Sequence, residues 1–213
     1  MTPGRNSIGI GAMAQPAEPK DEALLASVRA CTQCEGLPLG PRPIIQWSPG
    51  ARILIAGQAP GRITHAKGVP FDDPSGDRLR GWLGVDRATF YDPSLFAIVP
   101  MAFCYPGSGK SGDLPPPPVC ADLWRSELLD RLGRLQLTII IGRYAIDWHG
   151  DAPGSSVTEN VARWRDMLPD RVVLPHPSPR NRRWLAQNGW FENDLLPRLR
   201  DRVRDILAQD LVG

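Results

Sequence analysis

The chain has no apolar run that approaches the roughly 18 residues needed to span a membrane. Residues 1–20 also lack the apolar core and small-residue cleavage site of a secretory signal. We therefore expect a cytoplasmic protein without a membrane partner. A large net charge is missing as well, because 25 basic residues nearly balance 23 acidic ones. Any affinity for nucleic acid would therefore depend on local clusters of basic side chains.

Several other sequence signatures are missing from the 213 residues. No Gly-x-Gly-x-x-Gly fingerprint or P-loop is present, so a simple nucleotide-binding α/β protein lacks support. Only four cysteines occur, and a cytosolic chain is not expected to use them as a disulfide framework because the cytosol keeps thiols reduced. They are interpreted as metal ligands or as buried apolar residues.

The hydrophobic pattern predicts alternating strands and helices. Residues 1–20 mix glycine, proline and charge without a period, so we predict a loosely held arm followed by one domain over residues 21–213. Buried strands are predicted at 52–57, 95–102, 135–142 and 171–176, and helices at 21–30, 76–83, 121–132, 143–149, 161–167, 182–186 and 192–207. This order predicts a single α/β domain with a mostly parallel four-stranded sheet flanked by helices on both faces. We expect the protein to be a monomer.

Short turns rich in glycine or proline follow the first and fourth predicted strands. GQAPG occupies residues 57–61, and HPSPRN occupies residues 176–181. Because parallel strands end at one edge of their sheet, both turns are expected at the edge where α/β proteins bind ligands. Glycines allow a ligand to approach the backbone closely, and the Ser, Arg and Asn of the second turn suit phosphate contacts. Each turn alone is also typical of an ordinary strand-to-helix connection.

Together and in this order, the two turns resemble motif A and motif B of the uracil-DNA glycosylase superfamily. HPSPRN is similar to motif B of the single-strand-selective monofunctional uracil glycosylases, whereas GQAPG looks closest to motif A of the family-four, iron-sulfur enzymes. GVPFDDPSGDRL at residues 68–79 looks like the family-four stretch whose Phe stacks on the extruded base. The resemblance covers about residues 24–207 and implies the superfamily's α/β fold.

The four cysteines also resemble the family-four pattern. Cys31 and Cys34 form a Cys-x-x-Cys pair, 69 residues separate Cys34 from Cys104, and 15 separate Cys104 from Cys120. Four thiolates on loops can bind a four-iron four-sulfur cluster or a tetrahedral zinc ion, and the spacing alone leaves both open. The resemblance implies the iron-sulfur cluster, in a structural role, with zinc as the alternative. Buried cysteines without a ligand are the remaining interpretation.

The resemblance further implies roles for individual residues. His176 would donate a hydrogen bond to the base oxygen that gains negative charge as the base departs, and Phe71 would stack on the extruded base. Gln58 and the neighbouring main-chain groups of Gly57 and Ala59 would contact the carbonyl edge of the base. The motif B loop would enter the minor groove and hold phosphates through Ser178, Arg180 and Asn181.

Motif A departs from the superfamily pattern at the position that would activate water. Relatives carry an Asp, Asn or Glu there, whereas this chain has Gln58 and Ala59, neither of which can act as a base. Asp72, Asp73 and His65 in the following loop are candidate substitutes. A helix-capping acid pair and a solvent-exposed histidine are the ordinary interpretations of these residues.

A second departure lies on the strand before Cys104. Family four has an Asn there that contacts the uracil edge, and alignment on the cysteine puts Pro100 or Met101 in its place. Neither side chain can discriminate uracil from cytosine by paired hydrogen bonds. The base is then recognised by main-chain groups, or the substrate is another lesion such as hypoxanthine, xanthine or an oxidised pyrimidine.

These features predict a monofunctional DNA glycosylase that excises uracil or a related damaged base from single- or double-stranded DNA and so initiates base excision repair. The missing motif A carboxylate favours an alternative, a protein that binds damaged or single-stranded DNA with little turnover. A third hypothesis is covalent capture of the abasic sugar by a loop histidine, for which His65 is the loop candidate.

Overall fold

The computed structural model describes residues 18–110, 112–150 and 154–209. Most of the predicted arm, residues 1–17, lies outside the described residues. Helix α1 (Pro19–Arg29) begins two residues before the predicted domain boundary, with a proline in its first turn. Among the described helices, none has both the length and the apolarity that a membrane crossing requires.

Four strands form the central sheet, as the apolar runs predict. They are β1 (Ile53–Ala56), β2 (Phe96–Ile98), β5 (Leu137–Ile141) and β6 (Arg171–Leu174). The spatial order is β2, β1, β5, β6, and every pair is parallel. The chain therefore passes from β1 to β2 on one side of β1, and later returns so that β5 pairs with the other side of β1. This reversal of direction is the place where open α/β sheets form a ligand crevice.

Both faces of the sheet are buried. Ile53 and Ile55 pack in one apolar cluster, whereas Leu54 between them packs in a second cluster on the opposite face. Phe96 and Ala97 on the neighbouring strand divide between the two clusters in the same way. Successive side chains of a strand point to opposite faces, so a sheet covered on both sides requires an uninterrupted apolar run. The predicted single-domain α/β fold is confirmed.

Helices and short turns cover the two faces. The helices are α2 (Arg62–Lys67), α3 (Pro74–Leu83), α4 (Arg87–Phe90), α5 (Ser126–Asp130), α6 (Arg143–His149), α7 (Val157–Ala162), α8 (Trp164–Met167), α9 (Arg182–Gln187) and α10 (Leu196–Ala208). Single π-helical turns at Ala121–Arg125 and Phe191–Leu195 precede α5 and α10, so each predicted long helix there has a wider first turn. A 3-10 turn, Pro179–Asn181, precedes α9.

Some elements were not predicted. The sequence pattern gave no indication of α2, α4 or the small antiparallel hairpin of β3 (Ser108–Gly109) and β4 (Gly112–Asp113). This hairpin lies within the loop between Cys104 and Cys120. Ser108 and Asp113 of this hairpin line the cavity described below.

Candidate active site

A cavity of about 530 Å³ opens at the carboxyl edge of the sheet, where the order of the predicted strands places the two turns. Its volume lies in the usual range of small-molecule binding sites and is large enough for a nucleobase. Four loops meet around it, namely motif A, the loop before α3, the β3–β4 hairpin and motif B. The predicted site residues that line it are Gly57, Gln58, Ala59, Phe71, Pro100, His176, Ser178, Arg180 and Asn181.

Three predicted site residues do not line this cavity. Asp72 pairs with Arg87 at 2.7 Å and with Lys67 at 3.3 Å, and these hydrogen bonds lower the pKa of its carboxyl group. His65 lies on α2 with 8% of its surface exposed, and burial and the nearby Arg42 guanidinium lower the pKa of its imidazole. Met101 is 7% exposed and packs in the core.

Motif A is fixed to the end of the neighbouring strand through its backbone. The amide of Met101 donates to the carbonyl of Gly57 at 2.8 Å, and the amide of Ala102 donates to the carbonyl of Gln58 at 3.0 Å. The side-chain amide of Gln58 donates to the carbonyl of Leu114 at 2.9 Å, just after the hairpin. Gln58 therefore connects motif A to the hairpin, a contact that its sequence context does not indicate.

Phe71 forms a wall of the cavity in an uncommon backbone conformation. Its φ is +53°, in the left-handed region that non-glycine residues rarely adopt. The ring lies beside Gly57, where a Cβ would be 3.8 Å from Phe71 Cζ. The Phe71 carbonyl faces Gly76 on α3 and accepts a hydrogen bond from Arg80 at 3.4 Å. Strain of this kind persists only where neighbouring contacts enforce it, so α3 holds the ring in place.

His176 follows β6 directly after Pro175 and lines the cavity. Its Nδ1 accepts a hydrogen bond from the Ser178 amide at 3.2 Å, so a neutral ring must carry its hydrogen on Nε2. His176 is exposed at the mouth of the cavity, yet the protein atoms around its ring displace part of the surrounding water and so lower its pKa. The carboxylates of Asp73 and Asp113 act in the opposite direction. A neutral imidazole with an Nε2–H donor is therefore the favoured state at neutral pH.

The motif B loop is held by hydrogen bonds from inside and outside the loop. Within it, Asn181 Nδ2 donates to the His176 carbonyl at 2.7 Å, and Ser178 Oγ accepts from the Arg180 amide at 3.2 Å. From outside, Arg78 on α3 donates to the Ser178 carbonyl at 2.9 Å. The same helix thus orients both Phe71 and the loop that follows His176. No motif in the sequence indicated Arg78 as a positioning residue.

Pro100 presents only its ring to the cavity. Proline has no amide hydrogen, and the Pro100 carbonyl accepts from Nε of Arg125 at 3.2 Å. Arg125 is fully buried, and its Nη2 lies 2.8 Å from Nε2 of His149. Burial lowers the pKa of Arg125 to about 10 and that of His149 to about 3, so His149 accepts this hydrogen bond as a neutral ring. Arg125 therefore fixes the Pro100 backbone from the side away from the cavity.

The hairpin adds two polar side chains, Ser108 and Asp113, to the cavity wall. Ser108 Oγ donates to Asp113 Oδ1 at 2.9 Å, because a carboxylate can only accept. The Tyr105 hydroxyl lies 2.7 Å from the same Oγ and therefore acts as its donor. The hairpin also approaches motif B, since a Cβ on Gly112 would lie 3.7 Å from Nη1 of Arg180.

The four cysteines lie behind this region, on two segments that the fold brings together. Cys31 directly follows α1, and Cys104 and Cys120 are each 6% exposed. Burial, with a smaller contribution from the neighbouring cysteines, raises the pKa of Cys34, Cys104 and Cys120, the last to about 11. Loss of the proton from these three thiols would therefore require a bound cation that stabilises the thiolate.

Nitrogen donors surround the cysteine sulfurs. The Arg42 amide donates to Cys104 Sγ at 3.3 Å, and the Phe103 amide donates to Cys120 Sγ at 3.5 Å. The indole of Trp124 donates to Cys31 Sγ at 3.4 Å. Hydrogen bonds of this kind stabilise thiolates that ligate metals. Among the described residues, no three His, Cys, Asp or Glu side chains lie close enough together to hold a single metal ion.

Comparison with known proteins adds to this geometry. The model of the uracil DNA glycosylase superfamily matches residues 45–200, which include both turns and all four strands of the sheet. The chain belongs to the uracil DNA glycosylase superfamily. Membership indicates DNA as its partner and a glycosylase-like activity.

A solved structure is similar to this superfamily member. It is the solution NMR structure of a "putative Uracil DNA glycosylase" from Methanosarcina acetivorans. Sequence identity is 20%, the TM-score is 0.46, and the match covers 76% of this chain and 97% of the other.

Proposed function

We propose that this chain is a monofunctional DNA glycosylase that extrudes uracil or a related damaged base and hydrolyses its N-glycosidic bond. The observation that carries the proposal is the hydrogen-bonded state of His176. Because its Nδ1 accepts from Ser178, its Nε2–H is a donor held at the wall of a cavity large enough for a nucleobase. A donor fixed in this way stabilises negative charge on a departing base without reorganisation during the reaction.

The base enters the cavity beside Phe71. An aromatic face can stack on any nucleobase, so Phe71 contributes affinity and little discrimination. Discrimination falls to polar groups at the wall, namely the Gln58 main chain and the side chains of Asp73 and Ser75. Pro100 contributes an apolar surface because its carbonyl is bound to Arg125. These groups differ from the single Asn side chain that contacts the uracil edge in family four. Here the Asp73 carboxylate could accept a hydrogen bond from an N–H of the base.

Extrusion and strand binding depend on the motif B loop. Arg180 and Asn181 lie at the cavity wall, and the exposed Arg182 and Arg183 follow them. These side chains would hold the phosphates on either side of the extruded nucleotide, so binding would weaken as salt concentration rises.

Cleavage of labelled oligonucleotides tests the proposed activity. Single- and double-stranded oligonucleotides that contain uracil, hypoxanthine or xanthine are incubated with the protein and resolved on a denaturing gel with and without alkali. Strand breakage that requires alkali is expected for at least one of these bases, because a monofunctional enzyme leaves an intact abasic strand.

Undamaged oligonucleotides of the same sequence serve as the control. A mobility shift on native gels with every damaged base, together with no alkali-labile sites, would contradict the glycosylase proposal. That result would favour the alternative, a member that binds damaged DNA with little turnover. A band that stays shifted under denaturing conditions would indicate covalent capture instead.

We further propose that Cys31, Cys34, Cys104 and Cys120 hold a four-iron four-sulfur cluster, as the family-four resemblance implies. The donor set fits, because four cysteine sulfurs are the usual ligands of such a cluster and three of them receive N–H hydrogen bonds. When bound, the cluster would link α1 to the loop that carries the hairpin.

Metal analysis of anaerobically purified protein tests the cluster. We expect iron and acid-labile sulfide in equal amounts, with the broad visible absorption of a cluster. Cys104→Ser is expected to lose both and to unfold at lower urea concentration, because thiolate ligation is the basis of the site. Ser27→Ala, an exposed change on α1, is the control. Zinc in place of iron, or no metal at all, would contradict this proposal.

A further inference from the structure

Water activation lacks a residue in motif A, yet the cavity contains carboxylates. Gln58 and Ala59 occupy the motif A positions, and the Gln58 amide nitrogen is bound to the Leu114 carbonyl. Of the predicted substitutes, Asp72 is paired with two basic side chains outside the cavity and His65 is buried elsewhere. The carboxylates that line the cavity within the described residues are Asp73 and Asp113.

Asp73 already has a structural role. Its Oδ1 accepts the Gly76 amide hydrogen at 2.8 Å and thereby caps the first turn of α3. An N-cap of this kind stabilises its helix and fixes the side chain against the backbone. Movement of Asp73 toward a water molecule would therefore release the helix that orients Phe71.

Asp113 is held in a different way. Ser108, itself a hydrogen-bond acceptor from Tyr105, donates to Oδ1 and leaves Oδ2 turned toward motif A. A Cβ on Gly61 would lie only 3.6 Å from that Oδ2. The Asp113 charge also acts on His176, so the carboxylate and the imidazole face the same space.

The hairpin that carries Asp113 is attached to both motifs. Gln58 bonds to Leu114 on the motif A side, and Arg180 lies against Gly112 on the motif B side. The hairpin therefore brings the Asp113 carboxylate to the cavity wall between the two motifs.

We propose that Asp113 is the base that activates the attacking water, an inference that rests on the proposed glycosylase function. Asp113 accepts a proton from water as the water oxygen bonds to C1′ of the deoxyribose. The C1′–N bond breaks, and its electron pair leaves with the base, whose anion accepts a hydrogen bond from Nε2–H of His176. The proton on Asp113 then passes to the base anion, so the products are a neutral base and an abasic sugar.

Single-turnover base release from the preferred oligonucleotide tests this role. Asp113→Asn is expected to slow release about 100-fold, the usual contribution of a general base. Its affinity for the same oligonucleotide is expected to stay the same or to increase, because the change removes a negative charge near DNA. Asp130→Asn, an exposed change at the end of α5, is expected to react at the wild-type rate.

Chemical rescue separates the catalytic role from a structural one. Asp113→Ala is expected to regain activity when formate is added, because formate can act as the missing base, whereas wild type gains nothing. A wild-type rate for Asp113→Asn would overturn the inference, as would a slow variant with weakened DNA binding and no response to formate. Failure of wild type to release any base would refute the proposed function itself and this inference with it.

Discussion

His176→Asn is expected to slow base release between about 100-fold and 1000-fold, the usual effect of removing one donor to a developing anion. Asparagine can still donate a hydrogen bond, but its shorter side chain cannot reach as far into the cavity as Nε2 does. DNA affinity is expected to change little, because phosphate contacts rest on Arg180 and its neighbours. Single-turnover base release and oligonucleotide binding measure the two quantities separately.

The pH dependence of the same reaction follows from the state of His176. Its pKa lies below the ordinary value of 6.5, so the ring is neutral above pH 6.5 and gains a proton only as the pH falls below that value. Protonation places a hydrogen on Nδ1, which can then no longer accept from the Ser178 amide. We expect the wild-type rate to fall on the acid side of pH 6.5. An equal rate for wild type and His176→Asn across the pH range would contradict the role of His176.

Gly76→Ala is expected to destabilise the protein strongly and to abolish base release. A Cβ on Gly76 would lie 1.7 Å from the Phe71 carbonyl oxygen and 2.9 Å from Phe71 Cβ. The obstacle is backbone in a strained conformation, so either α3 or the Phe71 loop must move. Overpacking of this kind typically costs about 1–3 kcal/mol, and a backbone clash lies at or above the upper end. Urea unfolding and base release provide the measurements.

Gly81→Ala on the same helix is the matched control. No atom lies within 4 Å of the Cβ that this change adds. Because alanine favours helix over glycine by about 1 kcal/mol, this variant is expected to be slightly more stable and fully active. Helix propensity alone predicts that both substitutions increase the free energy of unfolding. Only the contact between Gly76 and Phe71 makes the two expected results differ. Equal stability and activity of the two variants would contradict the account of how α3 holds Phe71.

The sheet and the two motif turns could be predicted from the sequence because local signals determine them. A run of branched apolar residues such as that of β5 is typical of a strand that is buried on both faces. The turns after β1 and β6 then meet at one edge by topology alone. His176 and Phe71 were predicted through the family resemblance, and the structure brings both of them to the cavity.

The β3–β4 hairpin could not be predicted because its residues carry no apolar pattern. Glycine, serine and lysine dominate it, and such a segment usually forms a solvated loop. Its position depends on a hydrogen bond from Gln58, which lies 56 residues away along the chain. The sequence therefore did not indicate Asp113 as a site residue, although Asp113 lines the same cavity as His176.

Ion pairs and burial explain the candidates that lie outside the cavity. Asp72 and Asp73 are neighbours in the sequence, yet only the pairing of Asp72 with Arg87 and Lys67 turns it away from the site. His65 was interpreted as an exposed loop residue, but it lies on the unpredicted helix α2 and is buried. Both outcomes depend on contacts between loops, which no local pattern encodes.

Release of free base is the most direct test of the central claim, that the cavity between motif A and motif B cleaves a glycosidic bond. The protein is mixed with an excess of the preferred damaged oligonucleotide, and free base and abasic sites are quantified separately by chromatography and by alkali cleavage. The account predicts that one free base appears for each abasic site over many turnovers. Tight binding of the damaged oligonucleotide without any free base would contradict it.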